Sequence, residues 1–479
     1  MQSRTLSLHL KVLSPLHIGC GEVYEPTSFV VKREKNVLVS FNTLHFLAGL
    51  DDKLLGEFSA ICKKGTSASL LEVYNFIDRH AQDMDGLTVE LTPALVEHYQ
   101  KVLNLSENKI KNELNQFSLF RTAFNALDSS VYIPGSAIKG SIRTAVLNLR
   151  HATHYQSDLQ KQQLNIPQND KNATQILEKL EEELLGGDFK DSPFSLLKVS
   201  DFHLVSPVRR RIVYAVYKKK NPNNSPPQKL HQIVEIIEPG AVFAGTLTLL
   251  PPPDNSPVLP EKALRLDEVE NALQTFYGKE LERERGEAAA IPTARYPVFT
   301  DDVLPLRIGR HSGAECVTVE GQRIIKILKK NQRPEYRANA TTIWFAAENK
   351  EGKGELRPFG WVALQEIRAE EIAKQKEQQR LTEEHRAEEE KKRQAEEARL
   401  AAMSPEEREI EAVASLQAKE DNAVALYNKL DALGEALRNR AAQALQAFWQ
   451  NTSKWEGKSL SKKQAEKVKK VKSLLVKEA

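Results

Sequence analysis

Leu6, Leu8, Leu10 and Val12 fall on one face of a period-two pattern, so the chain opens with a strand. Ser14-Pro15 ends it, because proline lacks a ladder donor and restricts the residue before it. Val37 to Phe41 reads as a second short strand. From Thr43 to about Phe117 the apolar positions (Leu70, Leu71, Tyr74, Ile77, then Leu95, Tyr99, Val102) recur at helical spacing. Tyr132 to Gly135 reads as a turn before a helix that runs to about Arg150, and the polar stretch 156–190 as a loop plus one charged helix. Strand patterns return at 196–204, 211–217, 232–237 and 242–250. The Lys-, Asn- and Pro-rich segment 218–228 is predicted to be a mobile hairpin tip. After a proline-rich linker (251–260), a helix near Leu266–Tyr277 precedes Gly-rich, strand-like pieces up to Leu364.

The pattern then changes abruptly. Residues 365–403 hold eleven Glu and nine Lys or Arg with no apolar stripe, which predicts a lone solvated helix held by i,i+4 ion pairs. Beyond Pro405, the positions Leu426, Leu430, Leu433, Leu437, Ala441, Ala444 and Phe448 form an amphipathic stripe that must cover its face on a helix, a core or a partner. These shifts divide the chain at 1–41, 42–116, 117–253, 254–365 and 366–479.

Among the chain's 479 residues, 68 Lys+Arg against 65 Asp+Glu leave a net charge of only +3, so no global basicity signals nucleic-acid binding. The charge is uneven: nine Lys and three Glu after residue 453 give a local +6 and leave −3 for the rest. Cys20, Cys62 and Cys316 are too few and too scattered for a disulfide framework or a Cys-only zinc site. His151 and His154 lack a third ligand, and no metal or cofactor is expected. No apolar run approaches the ~20 residues of a membrane span. A soluble, cytoplasmic protein is the expectation.

Candidate chemistry lies in segments that place glycines beside cations. In Ile133-Pro-Gly-Ser-Ala-Ile-Lys-Gly-Ser-Ile-Arg143, Ser136 can cap a helix whose Ile138, Ile142, Ala145 and Leu149 are buried. Lys139 and Arg143, one turn apart beside Gly140, would join the helix N-terminus in an anion site, although a capped core helix with two solvated cations fits the same pattern. The order Lys-Gly-Ser, rather than Gly-Lys-Ser, rules out a nucleotide-hydrolysing loop. In Ser14–Gly21, Gly19 and Gly21 allow close approach of a ligand, and His17 is either a phosphate donor, a general base or a structural hydrogen-bonder. In Leu306–Gly313, Arg307, Arg310, His311 and Ser312 interleave with glycines, a composition suited to a sugar-phosphate chain or to an ordinary basic turn. Arg209–Arg211 and Lys218–Lys220 add charge at both ends of one strand. No Ser-His-Asp or Cys-His set can be argued, so no catalytic residue is expected.

These segments, with Pro358-Phe-Gly-Trp-Val362, resemble in their order along the chain the RAMP superfamily of CRISPR-associated proteins. Within it they resemble the subunits that cap the guide-RNA 3′ end in type III-A (Csm) complexes. The resemblance spans about residues 4–365; the tail from Glu366 has no recognised counterpart. It implies an α+β, RRM-like (ferredoxin-like βαββαβ) core with a helical insertion and a helical C-terminal extension. It further implies a non-catalytic subunit that binds the guide RNA (crRNA), contributes to its maturation in antiviral defence, and touches target RNA, an adjacent RAMP backbone subunit and a small helical subunit. Related backbone subunits cut target RNA with an aspartate soon after the first Gly-rich loop. Residues 21–31 here contain Glu22 and Glu25 but no Asp. The implied RNA-binding set is His17, Gly19, Gly21, Ser136, Lys139, Gly140, Arg143, Arg307, Arg310, His311 and Ser312. The alternative is a RAMP endoribonuclease that processes precursor crRNA with His17 as general base.

Overall fold

The alternating leucines do form the first strand. In a computed structural model the strand Arg4–Val12 turns Leu6, Leu8, Leu10 and Val12 into the core. The structure describes residues 3–105, 117–154, 170–187, 191–221, 230–254, 256, 258, 260–328 and 333–367. It also describes 380, 384, 387–388, 390–395, 398–399, 402–415, 419–452, 454–456 and 461–475. The chain divides into two units, Met1–Ile367 and Arg368–Ala479.

In the first unit, Arg4–Val12 pairs with Val242–Leu249 on one side and Trp361–Glu366 on the other, both antiparallel. The helix Gly135–His154 and the strands Leu197–Val199 and Phe202–Leu204 follow the first strand in sequence, and Leu266–Glu287 follows Val242–Leu249. The sheet order Trp361–Glu366, Arg4–Val12, Val242–Leu249, Phe202–Leu204 is therefore the 4-1-3-2 order of a ferredoxin-like βαββαβ core, with Leu304–Arg307 and Tyr132–Ile133 added at its edges. Both helices bury their stripes on this sheet: Ile138, Ile142 and Ala145 from one, Val269, Leu273 and Phe276 from the other. The expected mixed α+β class is correct.

A second sheet of nine strands was only partly visible in the hydropathy pattern. Its central strand, Arg210–Lys219, pairs with His231–Ile237 along one side. Its other side is shared by Leu87–Leu91 and Thr342–Ala347. Gly19–Val23 and Leu119–Thr122 continue the sheet beyond His231–Ile237. Residues 43–117, read as helical, contain helices at Thr43–Ala48, Asp52–Lys63, Ser67–His80 and Pro93–Leu103, but also the strand Leu87–Leu91. Thr92 then caps the last of these helices, accepting from the Leu95 amide, with Pro93 in the first turn where its missing donor is harmless. Tyr132–Ile133 is a strand rather than a turn, and the helix near Leu266 runs to Glu287. Residues 222–228 of the expected hairpin tip lie outside the described residues.

The second unit corrects the single-stripe reading of the tail. Helices Pro405–Ala414, Glu420–Lys429, Glu435–Asn451 and Lys462–Leu475 enclose their own core of Ile410, Val413, Leu426, Leu430, Leu445, Trp449, Trp455 and Val471. A capping box between Ser404 and Glu407 starts the first helix. Leu430–Ala432 tightens into a 3₁₀ turn and Gly434 opens the next helix, so the stripe spans two helices that bury it against each other. Much of the charged stretch 365–403 lies outside the described residues; those described include the expected i,i+4 pairs Arg380–Glu384 and Lys392–Glu388. No helix among the described residues is long and apolar enough to cross a membrane.

Candidate nucleic-acid interface

The Ser14-Pro15 break sends the chain across the end of the first sheet, where it meets two later segments. The Leu13 and Ser14 amides donate to the Trp361 carbonyl, and the Trp361 amide donates to Ser14 Oγ at 2.8 Å. The Gly360 amide donates to the Pro15 carbonyl (3.0 Å), the Ile308 amide to the Gly360 carbonyl (2.9 Å), and the Arg310 amide to the His17 carbonyl (2.8 Å). Gly309 and Gly360 have φ of +83° and +84°, and a Cβ would fall 2.5 Å from the His17 carbonyl at the first and 2.1 Å from the Ile308 carbonyl at the second. Only glycine allows that approach. The helix segment joins through Ser141, whose Oγ donates to the Arg307 carbonyl at 2.9 Å. All four motif segments are thus stitched together by hydrogen bonds.

Within this junction the charged side chains part ways. Arg307 is 1% exposed; its guanidinium pairs with the Glu284 carboxylate and donates to the Phe359 carbonyl at 2.9 Å. It belongs to the core. Arg310 is exposed and its guanidinium lies 5.4 Å from the centre of the Phe120 ring, with its stem over Gly19. On the opposite face of the strand Leu119–Thr122, Arg121 lies over Tyr24 and stacks on Phe124 at 3.4 Å. Gly19–Val23 is an exposed edge strand with a register irregularity, and Gly21 has φ of +85°. Arg310, Phe120 and this glycine edge form a surface on which an exposed cation stands against a partly exposed ring, a chemistry that suits single-stranded nucleic acid.

The two histidines stand behind that surface. His17 is fully buried with Nδ1 2.7 Å from the Glu235 carbonyl; a carbonyl only accepts, so Nδ1 carries the proton. Burial, reinforced by Arg310, outweighs that hydrogen bond and pushes its pKa down to about 4. His311, at φ 67°, stacks between Trp344 (4.5 Å) and Phe359 (5.2 Å). Burial, with His17 and Arg310 nearby, pushes His311 down to about 3. Ser312 is buried. Beneath them, Glu235 accepts from Arg210 Nε (2.6 Å) and the Thr122 amide (3.1 Å), which ties the second sheet to the His17 loop.

At the second Gly-basic position the helix starts at Gly135, one residue before the expected Ser136 cap. Asp201 Oδ1 accepts from the Gly135 amide at 2.8 Å, so a carboxylate already occupies part of the N-terminal anion site. A Cβ on Gly135 would lie 2.4 Å from the Val199 carbonyl. Ser136 and Gly140 are exposed. Arg143 pairs with Glu181 of the helix Asp170–Leu185. Burial first, then Lys198 and Arg143, lowers the Lys139 pKa, and neither Lys139 nor Lys198 has a carboxylate partner among the described residues. The cations flanking the strand Arg210–Lys219 contribute less than expected: Arg209 pairs with Glu90, Arg210 with Glu235, Arg211 with Glu348, and Lys220 with Glu287 and Glu315.

Sequence reasoning missed Phe120, Arg121, Phe124 and Lys198. The signal for Lys198 was present, since it is the outward residue of the alternating strand Leu197–Val199. For the others, the four-residue strand Leu119–Thr122 was too short to show a period. Among the described residues, no group of three or more His, Cys, Asp or Glu could hold a metal ion.

Comparison with known proteins places these features in a family. A 149-residue stretch is 27% identical to the CRISPR system Cms protein Csm5 of Streptococcus thermophilus, covering 30% of this chain and 38% of that protein. Among solved structures, a chain of a cryo-EM Csm–crRNA–target RNA ternary complex from a type III-A CRISPR-Cas system aligns with TM-score 0.47 and 20% identity, over 76% of this chain and 100% of that one. The crystal structure of T. onnurineus Csm5 aligns with TM-score 0.40 and 19% identity, over 74% and 99%. The model of the RAMP superfamily matches residues 9–471, so it continues past Glu366 into the segment for which no counterpart was recognised. The chain belongs to the RAMP superfamily.

Proposed function

We propose that this chain is a non-catalytic guide-RNA-binding subunit that caps the crRNA 3′ end of a type III-A CRISPR interference complex. In that role it contacts target RNA, an adjacent RAMP backbone subunit and a small helical subunit, and contributes to crRNA maturation. The observation that carries the reading is the junction of the His17–Gly21 and Gly309–Ser312 loops, which leaves Arg310 exposed beside Phe120 and the open Gly19–Val23 edge. Such a surface holds phosphates and base faces without reading base edges, as suits a subunit whose specificity comes from guide–target pairing.

The endoribonuclease reading fits the geometry less well. His17 is buried, its Nδ1 proton is engaged by the Glu235 carbonyl, and a pKa near 4 makes it a weak base at neutral pH. Two measurements test the proposal. Sequencing RNA copurified with the assembled complex should show guide ends bound in a manner sensitive to Arg310→Glu. Incubating the purified chain with repeat RNA in the absence of metal should give no discrete cleavage. Cleavage abolished by His17→Ala would replace this reading with the endoribonuclease.

A further inference from the structure

The second unit segregates its charge. Its first helix, Pro405–Ala414, carries Glu406, Glu407, Glu409 and Glu411, and three of these are taken up internally by Arg440, Lys429 and Arg399. Its last helix, Lys462–Leu475, carries six Lys and one Glu. That helix buries Val468 and Val471 in the bundle core, which fixes the direction of its remaining faces. Lys470 pairs with Asp431 (2.5 Å) and Lys472 approaches Glu456 (3.5 Å). Lys463, Lys467 and Lys469 have no carboxylate partner among the described residues.

Lys463, Lys467 and Lys470 follow one another at i, i+4 and i+7, one line about 10 Å long on the helix. Like charges at these spacings weaken a helix, so the bundle holds the line against its own repulsion. The Lys467 and Lys470 ammonium groups also lie 5.3 and 5.4 Å from the centre of the half-buried Tyr427 ring. A linear array of cations with a ring beside it complements a polyanion with regularly spaced charge and stackable bases better than it does a single phosphate.

We propose that the C-terminal bundle carries a second, sequence-independent surface for single-stranded RNA along Lys463, Lys467 and Lys470, with Lys469 flanking that line about 100° round the helix, separate from the glycine-loop interface. It goes beyond the guide-end reading and stands or falls without it. The test uses the full chain and a fluorescein-labelled uridine homopolymer, with anisotropy followed across a salt series. A Lys463→Ala/Lys467→Ala/Lys469→Ala variant is expected to lose roughly tenfold in low-salt affinity. Its log–log salt slope should flatten by about 2, at ~0.7 for each phosphate no longer neutralised. The corresponding triple Arg variant should retain both, which separates charge from folding.

Arg310→Ala/Lys139→Ala is measured alongside. If only that variant weakens binding, the second surface is refuted and the guide-end reading survives. If only the tail variant weakens binding, the second surface stands and the guide-end interface fails. An unchanged slope in the tail variant would mean that the lysine face is merely solvated or serves a protein partner, and would overturn the inference.

Discussion

Arg307 and Arg310 stand three residues apart where a strand becomes a loop, whereas Lys139 and Arg143 stand one turn apart on a helix. At the first place the fold sorts the two cations: one is buried on Glu284, the other is exposed beside Phe120. At the second, both stay partly accessible, and acidic neighbours decide the difference. Asp201 takes the helix N-terminal amide and Glu181 takes Arg143, leaving Lys139 beside Lys198. A Gly-basic motif therefore has no single meaning. Its role depends on which carboxylates distant parts of the chain bring to it.

The largest expected effect comes from the inward side of this contrast. Arg307→Ala leaves Glu284 in the core facing Glu280 and Cys316 without its main counter-charge, and it removes the donor that holds the Phe359 carbonyl. Chemical denaturation should show a loss of about 3–5 kcal/mol. A loss below about 1 kcal/mol, with RNA affinity reduced instead, would mean that Arg307 turns outward and belongs to the interface.

How much of this was legible follows from the same residues. The ferredoxin-like core could be read because its strands and helices are long enough to show a period, as in Leu6–Val12 or Ile138–Leu149. The second sheet could not be read in full. Leu87–Leu91 lies between helices whose spacing swamps five residues, and Gly19–Val23 is exposed and glycine-rich, with no buried face to mark it. The glycine loops could be picked out as a group. The burial of Arg307 could not, because Glu284 lies on a helix and nothing in the local sequence announces the pair. The split of the tail at Gly434 was hidden for the opposite reason: the apolar stripe runs on unbroken across it.

A second effect concerns the histidines behind the exposed cation. The pKa of His17 is lowered from about 6.5 to about 4, so the folded state resists its protonation. Its contribution to stability is complete above pH 6.5 and is lost as the pH falls toward 4, at about 1.4 kcal/mol per pH unit. His311 and His98, also lowered by burial, act in the same direction. His17→Asn keeps a donor for the Glu235 carbonyl but cannot titrate. Its denaturation midpoints should therefore decline less steeply from about pH 6.5 to about 5 than those of the parent protein. Parallel declines would place the His17 ring in contact with water, which would revive it as a base.

On the outward side, Arg310→Ala should leave stability within about 0.5 kcal/mol, because the side chain is exposed and its backbone supplies the bond to His17. RNA affinity should fall by about 1–2 kcal/mol, since a cation and a stacking partner of Phe120 are lost together. Phe120→Ala should reproduce much of that loss with little change in salt slope, which separates stacking from charge. If Arg310→Ala leaves RNA binding intact, the loop junction is an architectural joint and the interface must be sought elsewhere.

The smallest effect distinguishes the two helix cations from each other. Arg143 already has Glu181, so a phosphate would have to compete with that carboxylate, and an ion pair this exposed contributes at most about 1 kcal/mol to stability. Lys139 has no carboxylate partner among the described residues, and both Lys198 and Arg143 repel its charge, which makes an incoming phosphate more favourable there. Lys139→Ala should therefore flatten the salt dependence of RNA binding by roughly 0.7, the share of one phosphate, and Arg143→Ala by less than half of that. Adding Glu181→Gln should raise the contribution of Arg143 toward that of Lys139, because it frees the guanidinium without moving the helix. Equal slopes for the two single variants would show that Glu181 does not govern Arg143 in solution. If neither variant changed the slope, the Asp201 carboxylate would be sufficient to keep phosphates away from this helix start.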